Sequence, residues 1–326
     1  GYVSVCGVVN YAGMLIVIMA MLIMLYIGTM DDILSLSPAL RFMVEFFVAL
    51  LLIFNGGYLL DDFHGLWGVG MLPGWVAVPL TVVAAVGIIN AINLIDGVNG
   101  LSSGYCITAC TMFGTLFYLS GDMKMTILAV VSVGALIPFF LHNVFGRTSK
   151  MFIGDGGTLV MGVVITVFVI ETLRNGSACG AYVGPQVGLI PFSLAVLCIP
   201  VFDTLRVMFS RMLRGTSPFR PDKTHLHHMF ISLGASHAAT MLSIVLLNTS
   251  VVFCWWVLME AGASLSVQFY AVVGMGLLVT FGLYHFLEWH LQHRTRLLRF
   301  MRRLGYRMHL SRTPTFIRIQ KLVDRL

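Results

Sequence analysis

Charged side chains are scarce in this sequence. Asp, Glu, Lys and Arg make up 10% of its 326 residues, where ordinary globular domains carry roughly a quarter. With 58% hydrophobic residues and a mean hydropathy of +0.91, the chain has too little polar surface to cover a water-soluble globule. The same apolarity excludes intrinsic disorder. Alternating segments of roughly ten residues, the mark of an outer-membrane barrel, are absent. Uncharged runs of about 20 residues recur instead, each long enough as a helix to cross roughly 30 Å of hydrocarbon. The fold class that remains is all-α, a polytopic helical membrane protein.

Cysteine pairs at metal-site spacing are missing too. None of Cys6, Cys106, Cys110, Cys179, Cys198 and Cys254 forms a CxxC, and five lie in or beside apolar runs, so they read as small buried hydrophobes. No charged segment precedes the first apolar run, so a cleavable signal is not expected. The net charge of +6 is distributed against a phosphate-tracking groove, and hence against a nucleic-acid partner. Ten of the 20 Lys and Arg lie after residue 288, and most others sit in short loops.

Nine apolar runs are predicted to cross the membrane, near 9–30, 40–59, 74–94, 103–120, 126–144, 157–173, 186–204, 238–259 and 265–287. The loops between them then alternate between two faces. Arg41, Arg147, Lys150, Arg206, Arg211, Arg214, Arg220, Lys223 and the ten basic residues of the tail share one face, whereas Lys124 and Arg174 fall on the other. Eighteen against two places the first face in the cytoplasm by the positive-inside rule. Residues 1–290 read as one multi-span domain with a cytoplasmic loop over 205–236. Residues 291–326 carry Arg294, Arg296, Arg299, Arg302, Arg303 and Arg307 among Leu297, Leu298, Phe300, Met301 and Leu304. They read as a basic amphipathic tail lying on anionic membrane lipids.

The predicted cytoplasmic face gathers costly polar groups at helix ends, which marks a functional site by default. Asp31-Asp32 closes the first run, and Asn90, Asn93, Asp96 and Asn99 close the third. Asp155 stands between Gly154 and Gly156 before the sixth, Asp203 and Arg206 close the seventh, and Arg220, Lys223, His225, His227 and His228 follow. Asn90 and Asn93 are one helical turn apart and share a face, continued by Asp96 and Asn99. Acidic and amide oxygens at one locus suit a hard cation such as Mg²⁺ shared with substrate phosphates, and Arg and Lys suit phosphate oxygens. Glycines around Asp155 let backbone approach a ligand. The three histidines could also hold zinc, but the surrounding Arg and Lys favour an anion over a cation. Asp61-Asp62, on the opposite face, reads as interfacial solvation. A Mg²⁺-dependent enzyme acting on a phosphorylated substrate at the membrane surface follows, and composition and spacing go no further.

In this order and on one face, these segments resemble the polyprenyl-phosphate N-acetylhexosamine-1-phosphate transferase family, glycosyltransferase family 4, from about residue 20 to residue 235. The resemblance implies that a phosphate oxygen of a lipid carrier attacks the β-phosphorus of a UDP-sugar, with UMP leaving. It implies catalytic roles for Asp31, Asp32, Asp96 and Asp155, with Asp31 as base or phosphate-orienting group. Asp155 and Asn93 would hold Mg²⁺, or Mn²⁺ in its place. Phe152 would stack on uracil, Arg41 would lie near the phosphates, and Asn90, Asn99, Arg220, Lys223, His225, His227 and His228 would contact substrate.

Two departures refine the expectation. Asn99 stands where bacterial members usually have Asp, which leaves Asp96 the stronger catalytic candidate. The loop reads Thr-His-Leu-His-His over 224–228, unlike the histidine triplet of the MurNAc-pentapeptide translocases, so UDP-GlcNAc is the expected donor and undecaprenyl phosphate the expected acceptor. Family members begin with further spans, so a fragment of a longer chain of a bacterial inner membrane is expected. The pentapeptide translocase is the enzymatic alternative, and an anion transporter or a silent scaffold is the alternative of another class. Oligomeric state, a homodimer included, is not fixed by the sequence.

Overall fold

The computed structural model of the protein describes residues 2–217, 224–307 and 313–325. Its first half is built of α1 (Tyr2–Leu34), α2 (Pro38–Phe54), α3 (Gly74–Leu94), α4 (Leu101–Ser120), α5 (Met123–Phe145) and α6 (Gly154–Leu173). The second half holds α7 (Ala178–Tyr182), α8 (Leu189–Val196), α9 (Cys198–Leu213), α10 (Leu226–Ser232), α11 (His237–Glu260), α12 (Leu265–Leu277) and α13 (Leu283–Gln292). The tail forms α14 (Arg296–Arg307) and α15 (Pro314–Val323). Among the described residues there is no strand beyond an isolated bridge between Asp62 and Met71. The chain is a multi-pass helical membrane protein.

The number of spans differs from the nine expected. Among the described residues six helices are long and apolar enough to cross a membrane, or seven if α8 and α9, bent by 72°, count as one. Two expected spans fall short for different reasons. The second is a helix of 17 residues that ends at Phe54. The fourth is diluted by Thr108, Thr111 and Thr115, whose hydroxyls turn back onto the carbonyls of Gly104, Ile107 and Thr111 at 2.7–2.9 Å. The bend between α8 and α9 has a local cause. Pro200 has no N–H to offer the Val196 carbonyl, and that oxygen instead accepts Tyr105 Oη at 2.8 Å and Asn248 Nδ2 at 2.9 Å. The Asn248 Oδ1 in turn accepts the Ile199 N–H at 2.9 Å.

At the centre stands α6, apolar on every side and buried nearly throughout, as expected of a helix enclosed by others. It packs against α1 and α3 at backbone distance. A Cβ on Gly28 would lie 2.5 Å from Gly156 Cα, and one on Gly162 would lie 2.8 Å from Ile89 Cα. Of the cysteines with a described side chain, Cys106, Cys110, Cys179 and Cys198 are buried as expected, whereas Cys254 faces outward. Because α6 runs from Gly154 to Leu173, its two ends define the two ends of the bundle. Asp32 contacts its N-terminus, and Asp61 reaches Asn175 just past its C-terminus.

Candidate active site

The N-terminus of α6 organises the site. Orphan N–H groups there attract a carboxylate, and Asp32 supplies it. Its oxygens accept the Asp155 N–H at 3.0 Å and the Gly156 N–H at 3.5 Å. Gly154 adopts φ 62°, and a Cβ there would collide with the Asp32 carboxylate, so glycine is required on both counts. Capped in this way, Asp155 projects from the first turn of α6.

Asp31 does different work. It accepts the Leu36 N–H at 2.7 Å and Arg41 Nη1 at 3.0 Å, so it fixes the chain reversal into α2 and the guanidinium together. Arg41 Nη1 lies 4.0 Å from Asp155 Oδ2, and its Nε lies 3.8 Å from Glu45 Oε1. Glu45 is fully buried and accepts Asn90 Nδ2. Asn93 Nδ2 donates to Asp155 Oδ1 at 2.8 Å and to Thr158 Oγ1 at 2.9 Å. One polar chain therefore joins Asp31, Arg41, Asp155 and Asn93, braced from beneath by Glu45 and Asn90. Asp96 stands exposed on the turn that follows α3, where desolvation by the surrounding protein and the charges of Asp155 and Asp32 raise its carboxyl to about 6.

The histidine segment is held by residues that the sequence reading left without a role. Asp203, buried in α9, accepts His225 Nδ1 at 2.9 Å, the Leu226 N–H at 3.1 Å, and Arg206 through Nη2 at 2.8 Å. Arg206 also donates to the Thr224 carbonyl at 2.6 Å and lies 3.7 Å over the Tyr284 ring. With Nδ1 donating to a carboxylate, His225 keeps Nε2 buried and without a hydrogen-bond partner among the described residues, an available donor or acceptor. His227 stacks parallel to His225 at 5.8 Å, and its Nε2 lies so close to Gly97 that a Cβ there would overlap it. Burial, with His228 and His225 nearby, pushes the His227 imidazole down to about 3. It is neutral at pH 7.

The contact of His227 with Gly97 sets the histidines against the turn that carries Asp96. Phe152 is 74% exposed, with Lys150 Nζ 5.4 Å from its ring centroid. Asn99 turns to another side. Its N–H donates to His237 Nδ1 at 3.3 Å, and it lines a cavity of about 370 Å³ with Val144, Ile231, His237 and Phe316. Arg220 and Lys223 lie outside the described residues. A second cavity, an apolar groove of about 450 Å³, runs between α3 and α8–α9, from Leu60 and Trp67 at one end of the bundle to Ala91 and Thr204 at the other. There it ends beside the helix turn of Asn90 and Asn93 and next to Asp203. At the far end, Asp61 accepts the Asn175 N–H at 2.8 Å and Asp62 the His64 N–H at 2.7 Å. These are loop fasteners.

Glu45 and Thr158 escaped the sequence reading, whereas Asp203 and Arg206 were placed on the site-bearing face without a role. Glu45 lies four residues after Arg41, the spacing that shares a helix face, and a lone acid in an apolar run was its available signal.

Residues 14–173 match the family described as glycosyl transferase family 4. A probable undecaprenyl-phosphate N-acetylglucosaminyl 1-phosphate transferase of Bacillus subtilis (strain 168) is 30% identical over 247 residues, covering 74% of this chain and 65% of that protein. The undecaprenyl-phosphate alpha-N-acetylglucosaminyl 1-phosphate transferases of Escherichia coli O157:H7 and Yersinia pestis are 27% and 28% identical over 216 and 215 residues. Each alignment covers 65% of this chain and 56% or 57% of the relative. The chain thus spans between 56% and 65% of the length of these relatives. Residues 14–173, which hold Asp31, Arg41, Asn93, Asp96 and Asp155, are the segment that this chain shares with glycosyl transferase family 4.

Proposed function

We propose that the chain transfers N-acetylglucosamine 1-phosphate from its UDP-sugar to undecaprenyl phosphate, releasing UMP and starting a lipid-linked envelope glycan. The observation that carries this reading is the continuous polar chain Asp31–Arg41–Asp155–Asn93 at one end of the bundle, toward which an apolar groove runs between α3 and α8–α9. Such a groove takes a prenyl chain and delivers its phosphate to the polar end. The names of the relatives supply the acceptor and the sugar. The excess of basic residues on the site-bearing face supports a cytoplasmic site in a bacterial inner membrane, where UDP-sugars are available.

In this reaction an oxygen of the lipid phosphate forms a bond to the β-phosphorus, and the bond from that phosphorus to the UMP oxygen breaks. A phosphate monoester has its second pKa near 6, so the attacking oxygen is largely deprotonated at pH 7 without a base. Both Asp31 oxygens are engaged by Arg41 and the Leu36 N–H, which favours the orienting role over the base. Arg41, fixed by Asp31 and Glu45, would hold phosphate oxygens and offset their mutual repulsion. His225 Nε2 and neutral His227 would donate or accept hydrogen bonds at the donor.

The donor set at this end fits Mg²⁺. Asp31, Asp32, Asp96 and Asp155 face a single described guanidinium, that of Arg41. Asn93 spends its nitrogen on Asp155 and Thr158, which leaves its carbonyl oxygen over. Among the described residues no three His, Cys, Asp or Glu side chains gather into a site that could hold a metal by themselves. This accords with an ion held by one or two carboxylates and completed by water and substrate phosphates. Asp155 and Asn93 would hold it, and when bound it would neutralise the pyrophosphate.

The test is incubation of membranes containing the chain with radiolabelled UDP-GlcNAc and undecaprenyl phosphate, with and without EDTA. Lipid-linked product released together with UMP is expected, and EDTA should abolish it. Product only from UDP-MurNAc-pentapeptide would transfer the chain to the translocase reaction. Product insensitive to EDTA would remove the metal.

A further inference from the structure

The C-terminal tail contains more than a basic helix. Its last helix, α15, returns to the bundle and docks on the loop that leads from α5 into Asp155. Asp324, at the C-terminal end of α15, accepts the N–H groups of Arg147, Thr148 and Ser149 through one oxygen, at 2.9, 3.2 and 3.4 Å. The Ser149 hydroxyl donates to the same oxygen at 3.0 Å. Three successive amides converging on one point form a nest, a backbone arrangement that binds anions. Here the chain's own carboxylate fills it, from 177 residues away for Arg147.

Two apolar contacts secure the helix. Phe316 packs on Phe145 with ring centroids 4.7 Å apart, and Val323 is buried. The opposite edge of the loop is pinned by Asn143, whose Nδ2 donates to the Met151 carbonyl at 2.6 Å, and by His142 Nδ1 at 3.0 Å from Ser149 Oγ. The segment carrying Lys150, Phe152 and Asp155 is therefore held from two sides, and one of those sides is the tail. Phe316 has a second position of consequence, since it lines the cavity that also contains Asn99 and His237. This helix lies outside residues 14–173, the segment shared with the family.

We infer that α15 is a working part of the donor site, with Asp324 as a positioning residue that holds the 146–153 loop for the nucleotide half of a UDP-sugar. Phe316 is the residue through which the tail shapes the cavity beside Asn99. Asp324 touches no reacting atom. It acts by keeping Phe152 and Asp155 in place before the donor arrives, so that binding need not order the loop. The inference rests on the proposed use of a UDP-sugar.

The test uses the full chain with Asp324→Ala, Asp324→Glu and Phe316→Ala. For Asp324→Ala the KM for UDP-GlcNAc is expected to rise about tenfold, as when a charge-assisted contact is lost. The kcat and the KM for undecaprenyl phosphate should stay within about twofold. Asp324→Glu should recover part of the donor KM, and Phe316→Ala should raise it without touching the acceptor. Hydrogen exchange of the substrate-free protein supplies an independent readout, since the amides of 147–149 should exchange faster in Asp324→Ala while those of α6 stay protected. An unchanged donor KM, or equal changes for both substrates, would overturn the inference, as would unchanged exchange at 147–149. Wild-type protein that turns over no UDP-sugar while exchange responds as expected would overturn the proposed reaction and its donor, and leave the clamp standing.

Discussion

The two ends of the bundle carry the same dipeptide in different company. Asp31-Asp32 meets a helix N-terminus, a guanidinium and a third carboxylate, and each contact leads to another charged or amide group. Asp61-Asp62 meets backbone amides of the loops it closes, and the nearby Glu171 is matched by Arg174 at 2.6 Å. Around the first dipeptide the carboxylates of Asp31, Asp32 and Asp155 outnumber the guanidinium of Arg41 beside them, whereas at the second the carboxylates are tied to backbone amides and Glu171 is paired with Arg174. Carboxylates gathered in this way repel a phosphate unless a cation stands between them, which is why the proposed reading places Mg²⁺ at this end.

The sharpest way to break this comparison is to remove one charge from the first end. Asp155→Asn keeps shape and the bond from Asn93, yet takes away a charge beside the proposed pyrophosphate. Turnover is expected to fall by about 100-fold or more, with similar protein abundance. Asp31→Asn should act in the same range by loosening Arg41. Radiolabelled transfer in membranes, normalised to protein level, measures both. Loss of the protein itself would instead mark these residues as structural.

A step smaller is the brace beneath the site. Glu45→Ala removes the ion-pair partner 3.8 Å from Arg41 Nε and one of the two acceptors of Asn90 Nδ2, which keeps the Val86 carbonyl at 2.9 Å. About 1–3 kcal/mol is expected for the Arg41 guanidinium left facing that gap, with kcat/KM lowered about 10-fold to 100-fold. Glu45→Gln keeps an acceptor oxygen and should fall between wild type and Ala in both thermal melts and kinetics. Equal effects of Gln and Ala would show that only the charge of Glu45 matters.

This brace also shows where sequence reading ends. Membrane class and the grouping of Asp31, Asp32, Asn93, Asp96 and Asp155 were legible, because each stands at the end of an apolar run and the runs fix the faces. Glu45 was not, and Asp203 was placed on that face without its role, because their meaning lies in partners 45 residues away in one case and 22 in the other. The span count failed where a helix stopped at 17 residues and where hydroxyls diluted another. The docking of α15 was illegible for a further reason. A carboxylate in a nest of backbone amides has no side-chain pattern to read, since its partners could be any residues.

A third prediction uses pH. The Asp96 carboxyl is raised from 3.8 to about 6 by desolvation and then by the charges of Asp155 and Asp32. The folded chain thus favours the neutral acid. That stabilising margin is complete below about pH 3.8 and is lost as pH rises through about 6. Asp96→Asn should therefore raise the melting temperature at pH 7.5 in the presence of EDTA, by an amount that solvent screening of this exposed carboxyl keeps small, and the gain should vanish near pH 4. It should do so while lowering activity, the usual trade at a site built from like charges. A variant equally stable with wild type across this range would mean that Asp96 is not repelled by its neighbours.

The smallest effect is expected at the far end, and it completes the comparison. Asp61→Asn keeps an oxygen that can accept the Asn175 N–H, and Asp62→Asn keeps one for the His64 N–H. Shape and hydrogen bonding persist, and only charge at a loop is lost. Each change should cost less than about 1 kcal/mol and leave turnover within a few-fold. Asp61→Ala, which removes the acceptor, should lower the melting temperature further and still spare turnover, because the loop it fastens lies across a bilayer of roughly 30 Å from the proposed chemistry. If Asp61→Asn reduced turnover as strongly as Asp31→Asn, the two dipeptides would be equivalent. The difference between the ends would then lie in something other than the company each pair keeps.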